Sequence, residues 1–239
     1  MSLGEDMADP VIYAIGDVHG EADRLDALHD AIFTRHKASG GGRPLKLVHL
    51  GDYVDRGPDS AGVIDRLIAL EARDDVEAVN LRGNHEQMMI EAYEEGSNDR
   101  LNWLINGGDA TLESYAKRGQ EDPGPEHLNW LRALPTIHID SEAGIVFVHA
   151  GVDPRTFPKC DSRIHLWSRS PRFYNTEQWH HTQLEGWRVV HGHTPTKDFE
   201  PGVAGEPAQR FNLDTGAVYG GKLTAGIFTP GGPVEFLSV

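Results

Sequence analysis

Cysteine is nearly absent: Cys160 is the only one among 239 residues. No internal disulfide can form, which fits a reducing cytosol, and a thiolate zinc site is excluded. With no motif around it, Cys160 reads as a structural thiol. Positive charge is scarce too. Against 37 Asp and Glu stand 22 Lys and Arg, a formal net charge of −15. A basic face for nucleic acid or an anionic membrane is therefore not expected. An anionic substrate stays possible, because bound cations and a few arginines reverse the potential inside one cleft. Apolar runs long enough to span a bilayer are missing, and MSLGEDMADP lacks the basic and apolar regions of a signal peptide. Residues 1–10 are expected to form a flexible N-terminus, the stretch before Met7 reading as an appended remnant. The expectation is a cytoplasmic protein whose 38% hydrophobic content supports one sizeable core.

Short β-rich runs alternate with helical patterns, the signature of a layered α/β fold. The runs are VIYAI (11–15), LKLVHL (45–50), VEAVNL (76–81), IVFVH (145–149) and WRVV (187–190). Leu25, Leu28, Ile32 and Phe33 recur at helical spacing after the first, as do Val63, Ile64, Leu67 and Ile68 after the second. Pro58 suits the first turn of that second helix. Residues 97–135 carry helical pieces split by GG and PGP, and are expected to form a helical insertion over one end of the sheet. The stretch 154–183 reads as break-rich and partly disordered, and 195–208 as a Gly/Pro-rich loop. The tail, 210–238, reads as an antiparallel meander.

Each of the five runs ends in residues able to bind metal or phosphate. GDVHG supplies Asp17 and His19; GDYVDRG supplies Asp52, Asp55 and Arg56; RGNHE supplies Asn84 and His85. HAG supplies His149, and HGH supplies His191 and His193. Ligands of open α/β sheets bind at the carboxyl ends of the strands, so these clusters are expected to converge. A mixed oxygen and nitrogen set without thiolate suits Mn, Fe or Zn. More than four candidates point to two ions, with Asp52 as the natural bridge. Two ions about 3.5–4 Å apart hold a hydroxide and clamp the attacking and leaving oxygens of a phosphoryl group. A dinucleotide-binding reading fails, because no G-x-G-x-x-G follows the first strand. Whether His85 or Asn84 is the ligand stays open on residue type: histidine is the usual ligand and asparagine a rare one.

GDVHG, GDYVDRGPDS, RGNHE, HAGVDP and VVHGHT, in this order, resemble the phosphoprotein phosphatase family of metallophosphoesterases, and within it the small bacterial and phage serine/threonine phosphatases. The likeness runs from about residue 11 to the NLDTGAVYGGKLT segment near residue 224. It implies a central β-sandwich flanked by helices in four layers (αββα), as a single domain over 11–239, with a di-metal site often supported by Mn. Asp17 and His19 match ligands of one metal, Asp52 the bridge, and Asn84, His149 and His193 ligands of the other. His85 matches the general acid and Asp55 the carboxylate orienting it. Arg56 and Arg169 match phosphate-binding arginines, with Asn84 also near the phosphate. Arg82 is read as a salt-bridge former, and His191 receives no role. The implied reaction is in-line attack by a hydroxide held between the metals, without a phosphoenzyme. The implied substrate is a phosphorylated protein or small phosphate ester. A rival is a bis(5'-nucleosyl)-tetraphosphatase, whose middle motifs resemble GDLVARG and GNHD where this chain has Tyr53, Asp55 and Glu86. A non-catalytic binding protein is disfavoured because every metal and proton-transfer position is filled.

Overall fold

A computed structural model of the chain describes residues 8–239, so most of the expected flexible N-terminus lies outside the described residues. In VIYAI, successive side chains point to opposite faces, and both faces are apolar. Such a strand needs a layer on each side. It becomes β1 (Val11–Ile15), with β2 (Leu45–His49) and β3 (Glu77–Asn80) parallel beside it. Helices α1 (Ala22–Ser39) and α2 (Ser60–Glu71) form the two crossover segments, and their apolar stripes cover one face of this sheet. The α2 N-cap is Asp59, whose carboxylate accepts from the Gly62 N–H at 2.9 Å. Pro58 therefore precedes the cap and is not in the first turn.

Beyond β3 come α3 (Asn84–Ala92), α4 (Arg100–Trp103), a π-turn at Leu104–Gly108, α5 (Asp109–Ala116) and α6 (Pro125–Ala133). A second sheet follows, built from β4 (Ile137–Asp140), β5 (Ile145–Val148), β6 (Arg188–His191), β7 (Gly202–Ala204) and β8 (Arg210–Asn212). The chain then returns to the first sheet with β9 (Thr224–Phe228) and β10 (Glu235–Ser238). The strand orders are β10-β9-β1-β2-β3 and β4-β5-β6-β8-β7.

The two sheets share a core of Ile12, Ala14, Val48, Ile145, Phe147, Val190 and Phe211, among others. Alternate residues of the same strands, Tyr13 and Ile15 or Val146 and Val148, face the outer layers. The layering is therefore helix, sheet, sheet, helix, as expected.

Three further expectations change. The tail is not one meander: β9 and β10 pair antiparallel, but β8 leaves for the second sheet and lies parallel to β6. The stretch 154–183 is structured, with α7 (Ser162–Trp167), α8 (Pro171–Tyr174) and a turn of 3-10 helix at Thr176–Trp179. Phe157, Phe173, Trp179 and Leu184 anchor it on the outer face of the second sheet, giving that sheet its covering layer. The five strand ends do not share one open sheet either. Three belong to the first sheet and two to the second, meeting at one end of the sandwich.

Candidate active site

The loops after β1, β2 and β3 are tied to one another before any side chain is considered. Val18 and His19 N–H donate to the Asp52 carbonyl at 3.0 and 2.8 Å, and Gly20 N–H to Tyr53 O. The buried Glu86 carboxylate, in the first turn of α3, accepts from the backbone N–H groups of Gly83, Asp52 and Tyr53 at 2.7–2.8 Å and of Val54 at 3.2 Å. It thus caps α3 and locks the GDYVDRG loop against it. The sequence alone marks Glu86 as a family-branch difference and does not announce this locking role.

Two groups of donor atoms converge here, His19–Asp52–His85 and Asp52–His149–His193, all buried and sharing Asp52. His149 Nδ1 lies 3.0 Å from the Leu50 carbonyl and His19 Nδ1 2.8 Å from the Val54 carbonyl. Donation there keeps the protons on Nδ1, aimed at the backbone carbonyls, and leaves the Nε2 lone pairs free for the site. His149 Nε2 faces Asn84 Oδ1 at 2.9 Å, Asp52 Oδ1 at 3.3 Å and His193 Nδ1 at 3.2 Å. His193 Nδ1 is 2.8 Å from the same Asn84 oxygen. Electron-rich atoms packed this tightly in a buried site are costly unless a cation lies among them. The donor set therefore fits a divalent ion, and Asp52 is placed to be shared by two. Burial lowers the basicity of His19 to about 3 and also lowers His193, favouring the neutral imidazoles that bind metals.

Asp17 belongs to neither group of converging atoms. Its carboxylate accepts the His193 backbone N–H at 3.0 Å, and burial followed by the neighbouring Asp214 and Asp52 raises its pKa well above the usual range. Gly192 makes this contact possible: a Cβ there would lie 2.0 Å from Asp17 Oδ1.

His85 is placed differently from Asn84. Its Nδ1 lies against Asp55 Oδ2, and its ring meets His19 edge to face at 4.7 Å. Asp55 also accepts from Trp103 Nε1 at 2.9 Å and from Thr111 Oγ1 at 2.7 Å. Trp103 and Thr111 come from the helices after α3 and were invisible in the sequence, being 48 and 56 residues from Asp55 with no local motif. Arg56 Nη1 donates to His19 Nε2, its backbone N–H to Gly107 O, and its guanidinium lies 5.7 Å from the Tyr219 ring. Arg169 is exposed at the rim and donates to Thr194 Oγ1 at 3.2 Å. Arg82 makes no salt bridge among the described residues. It donates instead to Gln87 Oε1 and to the Arg132 carbonyl. His191 is buried behind the site, with Nε2 accepting from Arg210.

Backbone strain gives an independent marker. Among the described residues, seven other than glycine have positive φ, and five of them are His19, Asp52, Asp55, Arg56 and His193. Left-handed backbone at side-chain-bearing residues costs of order 1–3 kcal/mol each and concentrates where function requires it.

An αββα sandwich whose strand ends gather two overlapping sets of Asp, Asn and His donors, rimmed by arginines, defines a metal-dependent phosphoesterase. The Calcineurin-like phosphoesterase family profile matches residues 10–221, and the chain belongs to that family, hydrolases acting on phosphate esters. It is 31% identical over 224 residues to Serine/threonine-protein phosphatase 1 of Salmonella typhimurium, covering 89% of each chain. It is 28% identical over 236 residues to an asymmetrical bis(5'-nucleosyl)-tetraphosphatase of Halalkalibacterium halodurans, covering 94% of this chain and 92% of that one. The fold is also similar to that of a protein serine/threonine phosphatase from Saccharomyces cerevisiae (TM-score 0.58, 16% identity, 98% and 82% coverage).

Proposed function

We propose that residues 11–239 form one catalytic unit that hydrolyses phosphoserine and phosphothreonine esters of proteins, in the cytoplasm, with two divalent ions. The observation that carries this reading is the buried His85–Asp55 pair beside the shared Asp52. A serine or threonine alkoxide is a poor leaving group, so a positioned proton donor matters; such help is typically worth about 10²–10⁴ in rate. The similarity to the Salmonella phosphatase supports the same substrate class.

Asp17, His19 and Asp52 would hold one ion, and Asp52, Asn84, His149 and His193 the other. Mn is preferred, with Fe or Zn also suited to the donor set. When bound, the ions activate water and neutralise phosphoryl charge. The chain's own residues supply the rest. Arg56 and Arg169 bind the phosphate oxygens, with the Asn84 side chain at the same wall. Asp55 orients His85, so that its Nε2–H is delivered to the leaving oxygen. Trp103 and Thr111 keep Asp55 from rotating.

A second reading, hydrolysis of dinucleoside polyphosphates, has its own observation. Trp167, 42% exposed, stands edge-on to His193, and Tyr219, 52% exposed, lies beside Arg56. These are flat faces next to cationic or metal-binding groups, where nucleobases stack. Parallel assays with Mn²⁺ on a phosphoserine peptide and on diadenosine tetraphosphate separate the two. Faster turnover of the peptide supports the leading reading; selective cleavage of the dinucleotide refutes it.

A further inference from the structure

The turn that delivers His193 rests on residues with no part in the chemistry. His193 has φ 71°, so its neighbours must hold a conformation it would not choose. On the site side, Gly192 N–H donates to His149 O at 2.8 Å and His193 N–H to Asp17. On the other side, the turn is met by β8. The register sets Asn212 opposite His191 and Arg210 opposite Val189. Phe211 between them enters the inter-sheet core, so Arg210 and Asn212 project from the outer face. Arg210 Nη1 donates to His191 Nε2 at 2.9 Å, and His191 Nδ1 lies 3.0 Å from the Gly192 carbonyl. Asn212 Nδ2 donates to the Thr194 carbonyl at 2.9 Å. The metal-bearing residue is thus braced on both flanks, at Gly192 and at Thr194.

Arg210 is an expensive brace. It is half-buried, burial lowers its pKa, and it has no carboxylate within salt-bridge distance among the described residues. Its guanidinium lies 4.7 Å from the Tyr174 ring centre, and its Nε has no hydrogen-bond partner. Cation–π contact offsets part of the desolvation cost. What the arrangement achieves is a choice of tautomer. With Nε2 accepting from an arginine, which cannot be an acceptor, the His191 proton must sit on Nδ1, the atom facing the Gly192 carbonyl.

We propose that Arg210, acting through His191, is a positioning residue that orients His193 toward the ion shared by Asp52, Asn84 and His149. The proposal rests on the two-ion reading above. A purely structural role, cementing α8 to the second sheet, would weaken both ions alike by loosening the whole fold.

The test is Mn²⁺ titration of the full chain by calorimetry, with bound metal counted by elemental analysis, for Arg210→Met, Arg210→Lys and His191→Asn. Loss of a supporting contact behind a metal ligand typically costs about 10–100-fold in affinity. Arg210→Met is expected to weaken one of the two ions by that factor and leave the other within about twofold. Arg210→Lys, which keeps a cation on the Tyr174 face, is expected to recover part of the loss. Should Arg210→Met fail to fold, His191→Asn is expected to show the same selective loss. Wild-type affinity for both ions in the folded variants overturns the proposal. So does equal weakening of both ions together with a lower melting temperature in chelator. Wild-type protein that binds fewer than two Mn²⁺ refutes the two-ion reading itself, before any variant is compared.

Discussion

Nδ1 of His85 and Oδ2 of Asp55 lie 2.7 Å apart, with neither side chain open to solvent. Burial pushes the Asp55 carboxyl up to about 8, against the pull of the Thr111 and Trp103 hydrogen bonds, and burial lowers His85 to about 4. Between those values the pair keeps one titrating proton. Whether it sits on Oδ2 or on Nδ1, the second ring nitrogen still carries Nε2–H.

His85→Asn removes that proton but none of the proposed ligands. The variant is expected to retain two metal equivalents while kcat on a phosphoserine peptide falls by about 10²–10⁴. Elemental analysis beside steady-state kinetics checks it. Loss of one equivalent would instead make His85 a ligand.

The pH profile should report the same pair. Deprotonation as pH rises through about 8 is expected to lower kcat, with the limb assigned by comparison with a Trp103→Phe variant. The Trp103 hydrogen bond lowers the Asp55 pKa, so its removal raises that pKa further and moves the falling limb to higher pH. An unmoved limb would mean that another group titrates there.

Gly192→Ala tests the closeness of the two sheets at the site. The added methyl would overlap Asp17 Oδ1, which is held by the His193 N–H and cannot swing aside without releasing it. Bound Mn²⁺ is expected to fall by at least one equivalent, read by elemental analysis, with activity falling alongside.

A buried imidazole pair outside the proposed ligand set imposes an acid limit on stability. His29 Nε2 and His49 Nε2 are 2.9 Å apart beneath α1, and burial lowers His29 to about 4. Its folded pKa is below its unfolded value, so the unfolded chain binds more protons between about pH 4 and 6.5. Stability is then complete above that window and declines as pH falls through it, by roughly 3 kcal/mol at the lower end. Urea denaturation at pH 7 and pH 5 measures the decline, and His29→Gln is expected to flatten it.

Much of the site was legible because its residues follow apolar runs at strand ends, where both periodicity and motif are local. The layering followed from strands apolar on both faces. The parts that escaped depend on distant partners. Trp103 and Thr111 reach Asp55 from helices whose docking no pattern announces, and Asp214 reaches Asp17 from a tail whose β8 changes sheets. IHID at 137–140 was missed because it is half-buried at a sheet edge, where apolar alternation is weak. The region 154–183 looked disordered because its order comes from a few large side chains, Phe157, Phe173 and Trp179, spaced without period.

The converging donors are divided between the sheets: Asp52 and Asn84 follow strands of the first, His149 and His193 strands of the second. An ion seated among them is therefore a rivet through the sandwich as well as a reagent. A ligand that binds only the folded chain adds about 2.7 kcal/mol of stability at a hundred times its dissociation constant. Metal supply during synthesis would then govern how much folded protein accumulates, and cells starved of the ion would hold less of the enzyme, in addition to running what they hold more slowly.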